Sequence, residues 1–178
     1  MTLMSTTSFH FDLDLIKIDI NWILEKYPFS QVGLKHSVNC LPENKILESV
    51  GSNYDFESKS YRFDERDFTE FNVEFRSTYL YEIHKQVPNI GRFRIMSMPG
   101  PSCYSIHRDQ SKRYHIAVET NKNCLFLFPG LNTNFFIPAD GNMYSLDTRQ
   151  KHTFLNGSKT HRVHLVLDDI STLLNKPK

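Results

Sequence analysis

The tripeptide His107-Arg108-Asp109 is the feature of this sequence with the most evident chemistry. In an extended segment, residues i and i+2 project to the same side, so an imidazole and a carboxylate at this spacing can reach one metal ion together. Two histidines and one carboxylate, with the opposite coordination positions open, form the ligand set of non-heme iron(II) oxygenases. A third ligand from a distant part of the chain would complete such a site.

Three later histidines are candidates for the third ligand. His152 follows a predicted late strand, where that ligand is needed, and is the preferred candidate. His164 lies inside an alternating run, where a partly buried strand histidine bonded to a neighbour is the simpler interpretation. His161 stands beside the turn NGSKT and is expected to be exposed. The predicted metal ligands are therefore His107, Asp109 and His152, with the other two histidines left open.

Arg162 lies in the apolar run Arg-Val-His-Leu-Val-Leu, where an arginine needs a partner because burying an unpaired guanidinium is costly. An edge position with the head in water, or an ion pair with one of the many acids, would satisfy it. Alternatively it binds an anion, because its planar fork matches a carboxylate with two parallel hydrogen bonds. Arg113 and His115 share one side of an earlier strand and could add a cation near the metal. A strand that leaves a polar turn also often begins with a basic residue.

Periodicity predicts the elements that must position these side chains. Residues 12–27 place apolar side chains on one helical face, with Asp12 or an earlier Ser or Thr as the candidate N-cap, although the alternation in LIKIDI also allows a strand there. Residues 67–87 predict a second helix, which Pro88 ends. From residue 91 the period changes to two. Short strands are predicted at 92–98, 113–120, 123–128, 134–138, 142–147 and 161–168. Two helices followed by strands indicate an antiparallel sandwich or barrel with helices on one side.

Composition and charge exclude several classes of protein. A length of 178 residues fits one domain, and 21 Lys plus Arg against 20 Asp plus Glu leave no basic field for nucleic acid. No secretory signal pattern and no run of about 18 apolar residues is present, so no membrane partner is expected. Cys40, Cys103 and Cys124 lack CxxC spacing, which favours reduced thiols and a cytoplasmic location.

Residues 28–66 are rich in Pro, Ser and Asn and predict a long irregular connection. Loops of this length inside a domain are usually functional or mobile. We therefore hypothesise that this region, together with the loop 101–106, forms a lid that keeps the site dry.

Taken together, these residues resemble the aspartyl/asparaginyl beta-hydroxylase family, a branch of the iron(II)- and 2-oxoglutarate-dependent oxygenases. The resemblance covers roughly residues 91–168, and residues 31–34 weakly resemble the family's early strand. It rests on Met98-Pro99-Gly100, His107-x-Asp109, Arg113-x-His115-Ile116, Gly141-x-Met143-Tyr144, Asp147-Thr148, His152, Asn156-Gly157 and Arg162-Val163-His164-Leu165. Asp109 is a departure, since the vertebrate hydroxylase that names the family has no carboxylate ligand there. Proline hydroxylases that resemble the same family do have HxD.

The resemblance implies a mainly β fold with flanking helices, a double-stranded beta-helix of the jelly-roll, cupin-like kind. Residues 1–178 would form one domain, helical and loop-rich over 1–90 and with a metal-binding strand core over 91–168. The implied cofactors are iron(II), 2-oxoglutarate as co-substrate, and O2. Iron would be bound at His107 and His152, and 2-oxoglutarate would be contacted by Arg113, His115 and Arg162.

The implied reaction is the hydroxylation of an unactivated C–H bond of an amino acid, a peptide side chain or another small molecule. Neither the substrate nor the oligomeric state can be read from the sequence. Two alternatives remain open, a cupin-like metalloenzyme that does not use 2-oxoglutarate and a catalytically inactive binding module on the same scaffold. A zinc hydrolase is less favoured, because no general base is well placed.

Overall fold

A computed structural model describes residues 2–55 and 57–173 of the chain. The helices are α1 (Leu13–Lys26) and α2 (Tyr79–Gln86). The strands are β1 (Met4–His10), β2 (Gln31–Gly33), β3 (Lys35–His36), β4 (Tyr54–Asp55), β5 (Ser60–Tyr61), β6 (Glu70–Phe71), β7 (Ile90–Met98), β8 (Ser102–Cys103), β9 (Lys112–Glu119), β10 (Cys124–Phe128), β11 (Thr133–Phe136), β12 (Asn142–Leu146), β13 (Thr153–Asn156) and β14 (Arg162–Asp169).

Strands β7 to β14 are divided equally between two antiparallel sheets. The larger sheet has six strands in the order β1-β12-β9-β14-β7-β2, and the smaller has four in the order β11-β10-β13-β8. Eight strands distributed in this way over two sheets form a jelly roll. The predicted mainly β, jelly-roll fold with flanking helices is therefore confirmed. The first 90 residues add β1, β2 and both helices, and their assignment to one domain with the strand core stays a prediction.

Helix α1 forms where the sequence predicts it. The Asp12 side chain accepts hydrogen bonds from the backbone N–H groups of Asp14 and Leu15 at 3.0 and 3.1 Å, which caps the helix. Three isoleucines at positions 16, 20 and 23 are buried against the larger sheet. The alternative of a strand at LIKIDI is wrong, because capping and the three- to four-residue spacing both favour a helix. In the described part of the chain, neither helix combines the length and the apolarity needed to cross a membrane.

The predicted second helix is present only in its last third. It begins at Tyr79, whereas residues 67–78 form short 3-10 turns and β6. Asn72 explains part of this difference, because its backbone N–H donates to Leu34 O at 2.9 Å and its side chain donates to Gly33 O at 2.9 Å. These hydrogen bonds to a distant segment outweigh the helical spacing of the phenylalanines, which are buried without being helical.

Alternation along the larger sheet separates an apolar face from a charged one. On β14, Val163, Leu165 and Leu167 belong to the apolar core that α1 and α2 cover. The intervening residues project to the opposite face, towards the smaller sheet. This face of β7, β9 and β14 carries the polar side chains Arg92, Arg94, Arg113, His115, Arg162, His164 and Asp168, all buried. The interior of the jelly roll is thus polar, which a purely structural sandwich does not need.

Candidate metal centre

His107 and His152 face each other at the end of the smaller sheet. They form an isolated antiparallel bridge, in which each backbone N–H donates to the other residue's carbonyl, at 3.0 and 2.9 Å. Residues directly opposite in an antiparallel pair carry their side chains on one face. The two imidazole rings accordingly lie with their centroids 4.4 Å apart.

Asp109 joins this pair through a second backbone contact, since its N–H donates to Thr148 O at 2.9 Å. Its Oδ2 lies 3.8 Å from Nε2 of His152. One ligand atom from each of His107, Asp109 and His152 lies within 4.8 Å of the others. The structure therefore brings together the three residues that the sequence analysis names as metal ligands. Their role as ligands stays a prediction.

The outer hydrogen bonds of both histidines suit metal binding. Nδ1 of His107 lies 2.7 Å from Ser105 O, and Nδ1 of His152 lies 3.0 Å from Gln150 O. A carbonyl oxygen can only accept, so each Nδ1 carries the proton and each Nε2 keeps a free lone pair. This second contact is what usually fixes the tautomer and ring orientation of a metal-bound histidine.

Asp109 is ionised despite its surroundings. Burial opposes its negative charge, but Arg113 and the two histidines outweigh that effect and hold the pKa of the carboxyl well below its usual range. Burial also lowers the pKa of His152, which keeps its imidazole neutral near pH 7. An ionised carboxylate and neutral imidazoles are the protonation states that a metal ion requires.

Arg113 lies at the centre of a buried ion-pair network. Its guanidinium contacts Glu65 at 2.5 Å, Asp168 at 3.0 Å and Asp109 at 3.2 Å. These carboxylates outweigh the effect of burial and raise the pKa of Arg113 above its usual value. With three carboxylate partners, Arg113 has a structural explanation, and its predicted contact with a co-substrate stays a prediction that no observed contact supports.

Glu65 is a site residue that the sequence analysis does not name. It lies in the irregular region before α2, yet its side chain is fully buried. Its Oε2 accepts hydrogen bonds from Ser111 Oγ at 2.6 Å and from Arg113 at 3.2 Å. The run Asp-Glu-Arg-Asp around it gives no pattern that distinguishes the buried acid from its exposed neighbours.

Arg162 lies at the start of β14 and is only 1% exposed. Its Nη2 donates to Nδ1 of His164 at 2.6 Å, and its guanidinium lies over the Phe154 ring, 4.0 Å from the ring centroid. No carboxylate pairs with it within residues 2–55 and 57–173. Burial lowers its pKa to about 9. The alternatives of a solvated edge position and of an ion pair are therefore both wrong for the described part of the chain, where the guanidinium has no counter-ion.

Two buried histidines near Arg162 have ring nitrogens without hydrogen-bond partners. Neither ring nitrogen of His115, nor Nε2 of His164, has a hydrogen-bond partner in the described residues. Burial, followed by the charge of Arg162, holds the pKa of each histidine well below its usual range. Unpaired buried donors and acceptors are rare in proteins and point to a bound ligand.

The alternative third ligands lie elsewhere. Nδ1 of His161 is 3.2 Å from Ser97 Oγ at the surface, and His164 is engaged with Arg162. Neither histidine belongs to a group of three or more metal-ligating side chains in the part of the chain that is described.

The three candidate ligands and the unpaired guanidinium line one cavity of about 450 Å³. Side chains from both sheets and from residues 51–65 form its walls. Among them are Gln31, Asn53, Arg94, His115, Phe126 and Arg162.

Comparisons with known proteins support the fold. No family model matches the sequence, and no curated protein sequence matches it. The structure is similar to that of a viral collagen prolyl hydroxylase from Paramecium Bursaria Chlorella virus-1 in complex with 2OG (2-oxoglutarate). The TM-score is 0.53 at 11% identity, over 94% of this chain and 95% of that chain. The chain thus has the fold of a 2-oxoglutarate-dependent oxygenase, whereas its resemblance to the aspartyl/asparaginyl beta-hydroxylase family has no support beyond that fold.

Proposed function

We propose that this protein is an iron(II)- and 2-oxoglutarate-dependent dioxygenase that hydroxylates an unactivated C–H bond. One observation carries the proposal. A group of two imidazoles and one carboxylate lines the same cavity as a buried guanidinium that has no carboxylate partner among the described residues. The first feature fits a metal ion with open coordination positions, and the second fits an anionic co-substrate.

His107, Asp109 and His152 would hold the metal. Their donor set of two imidazole nitrogens and one carboxylate oxygen is the facial triad that iron(II) oxygenases use, and it leaves the opposite positions free. Iron(II), when bound there with 2-oxoglutarate and O2, would supply the oxidising power, which no side chain of this protein can provide. The protein's own contribution is to fix the ligands, exclude water and orient the substrate.

Arg162 would bind the distal carboxylate of 2-oxoglutarate. His164 accepts one N–H of the guanidinium and the Phe154 ring covers it, so the remaining N–H groups have a fixed direction. A planar fork held in this way forms two parallel hydrogen bonds with a carboxylate. An incoming carboxylate would also compensate a buried charge that otherwise costs several kcal/mol. His115, whose ring nitrogens are unpaired, would be a further contact of the co-substrate.

The class of substrate belongs to the proposal as well. An amino acid, a peptide side chain and another small molecule all fit a cavity of about 450 Å³ that opens at the surface. Peptidyl proline is one candidate, because the protein of similar fold is named a collagen prolyl hydroxylase. Aspartyl or asparaginyl side chains are another, suggested by the motif resemblance. A cytoplasmic location, with reduced Cys40, Cys103 and Cys124, completes the proposal.

Succinate release tests the proposal directly. Purified protein is incubated with iron(II), ascorbate and 2-oxoglutarate, with and without a panel of amino acids and peptides, and metal content is measured in parallel. We expect one equivalent of iron and slow succinate formation even without substrate. His152→Ala should remove both, while the matched control His161→Ala should keep both. Bound metal without any succinate would favour the inactive binding module, and turnover that does not need 2-oxoglutarate would favour the cupin-like enzyme.

A further inference from the structure

The interior of the jelly roll holds more buried cations than buried anions. Four arginines, Arg92, Arg94, Arg113 and Arg162, are each at most 5% exposed. Against these four cations, the described residues place three carboxylates there, the buried ones of Glu65 and Asp168 and the partly buried one of Asp109. Buried charges are normally paired, so the cavity carries a formal surplus of one positive charge. This surplus positive charge favours the binding of an anion, which the described residues do not supply.

Asp168 is shared by three of these arginines, and Arg94 has the weakest share. Its carboxylate lies 2.6 Å from Nε of Arg92 and 3.0 Å from Nε of Arg113, but 3.2 Å from Nη2 of Arg94. Arg92 and Arg113 have Glu65 as a second partner, at 3.6 and 2.5 Å. Arg94 therefore depends on one long contact with a carboxylate that two other cations also use.

Arg94 has donor groups without a partner. It is 5% exposed, its Nε has no hydrogen-bond partner in the described residues, and it lines the cavity. Its single hydrogen bond there is the one to Asp168. Burial, and then the charge of Arg92, lower its pKa to about 10. A guanidinium carries several N–H donors in a fixed fork, most of which are unused here.

The metal and the co-substrate do not remove the surplus. Iron(II) and the dianion of 2-oxoglutarate carry equal and opposite charges, so binding both leaves the balance unchanged. The co-substrate is also assigned to Arg162 and not to Arg94. Arg162 contacts His164 and Arg94 contacts Asp168, and these partners lie four residues apart on β14. In the proposed binding mode Arg162 takes the distal carboxylate and the metal takes the other end of 2-oxoglutarate, so no carboxylate of the co-substrate is left for Arg94.

Arg94 lines the same cavity as the candidate metal centre and is linked to it through a chain of ion pairs. Its partner Asp168 contacts Arg113, and Arg113 contacts Asp109. A group bound at Arg94 would therefore lie in the same cavity as the metal ligands, where the primary substrate must lie. We propose that Arg94 binds a carboxylate of the primary substrate, and that this enzyme acts on carboxylate-bearing compounds. This inference rests on the proposed function and specifies its substrate class.

A binding experiment without turnover tests the subsite. The protein is loaded with zinc and saturating 2-oxoglutarate, and its melting temperature is measured with each N-acetyl amino acid and with the matching N-acetyl amino acid amide. We expect at least one carboxylate to raise the melting temperature and its amide to bind about tenfold more weakly or worse, because a charge-assisted fork is lost. Equal stabilisation by acids and amides, or by neither, would overturn the proposal.

Variants assign the effect to Arg94. Arg94→Gln should remove the preference for the acid while keeping the stabilisation by zinc and 2-oxoglutarate, and Arg94→Lys should keep part of it. The exposed Arg76→Gln should behave like the unaltered protein. If Arg94→Gln still binds the acid more tightly than the amide, the carboxylate binds elsewhere and the inference is wrong. If zinc and 2-oxoglutarate fail to stabilise even the unaltered protein, the proposed function fails first, which separates the two outcomes.

Discussion

The carboxylate of Asp109 lies 3.2 Å from the guanidinium of Arg113, four residues further along the chain. Arg113 is held in turn by Glu65, which comes from an irregular segment well outside the strand core. A candidate metal ligand is thus braced by a residue 44 positions earlier in the chain. Partners of this kind orient the ligands of metal sites and set their charge.

The first prediction concerns Glu65. Glu65→Gln removes the charge that balances Arg113, and we expect metal affinity to fall about tenfold or more, as for other residues that orient metal ligands. The free energy of unfolding should also fall by about 3 kcal/mol, because the buried Arg92 and Arg113 each lose one carboxylate partner. Cobalt(II) absorption titrations and urea unfolding measure the two effects. Glu57→Gln, at an exposed position in the same region, is the matched control, and equal behaviour of the two variants would contradict the prediction.

The second prediction concerns Arg162 and co-substrate binding. Arg162→Lys replaces a planar fork by a point charge, so the KM for 2-oxoglutarate should rise about tenfold or more while metal affinity is retained. Succinate release as a function of 2-oxoglutarate concentration measures the change. An unchanged KM would exclude Arg162 as the carboxylate contact.

A stability measurement gives an independent view of the same residue. Arg162→Met removes a buried charge for which the structurally described residues supply no carboxylate, so the ligand-free protein should become more stable by about 1 kcal/mol or more. The same variant should no longer be stabilised by 2-oxoglutarate. Loss of stability in the ligand-free variant would show that the guanidinium is already compensated and would weaken the argument for an anion there.

Local sequence signals predicted a large part of this architecture. The isoleucines of α1 recur at helical spacing beside an Asp that caps the helix, and both signals are local. All six predicted strands are present, with ends that shift by no more than two residues. The approach of His107 to His152 depends on long-range pairing, yet the HxD spacing and the position after a strand were sufficient to name both histidines.

Other features depend on contacts that no local pattern encodes. The start of α2 moves to Tyr79 because Asn72 hydrogen-bonds to a segment almost 40 residues earlier. Strand β1 is not predicted, since its sequence Met-Ser-Thr-Thr-Ser-Phe-His lacks strong apolar alternation and is fixed by pairing with β12. The burial of Glu65, and the sharing of Asp168 among three arginines, become visible only when strands and loops are brought together.

Lys35 yields a prediction about pH and stability. It is buried, its Nζ donates to Ile90 O at 2.7 Å, and burial lowers its pKa from 10.5 to about 8. Between these two values the unfolded chain binds more protons than the folded chain, so this residue makes the protein more stable as pH rises from 8 to 10.5. The free energy of unfolding of Lys35→Met should therefore exceed that of the unaltered protein most near pH 7, by at most about 3 kcal/mol, and by less near pH 10. Urea unfolding at both pH values measures this difference in stability between the two proteins. A difference that does not change with pH would contradict the prediction.

The lid hypothesis for residues 28–66 leads to the last prediction. Both ends of the stretch from Gly51 to Glu65 are fixed to the barrel. Gly51 O accepts a hydrogen bond from Nη1 of Arg92 at 3.2 Å, and the Glu65 side chain is buried. Tyr61, on β5 within this stretch, lines the cavity. If the stretch closes over bound ligands, trypsin should cut at the exposed Lys59 several-fold more slowly once zinc, 2-oxoglutarate and a binding carboxylate are present. Cutting at Lys122, in the exposed turn after β9, should not change. Equal rates at Lys59 with and without ligands would remove the lid from the mechanism and leave the rigid walls of the cavity to exclude water.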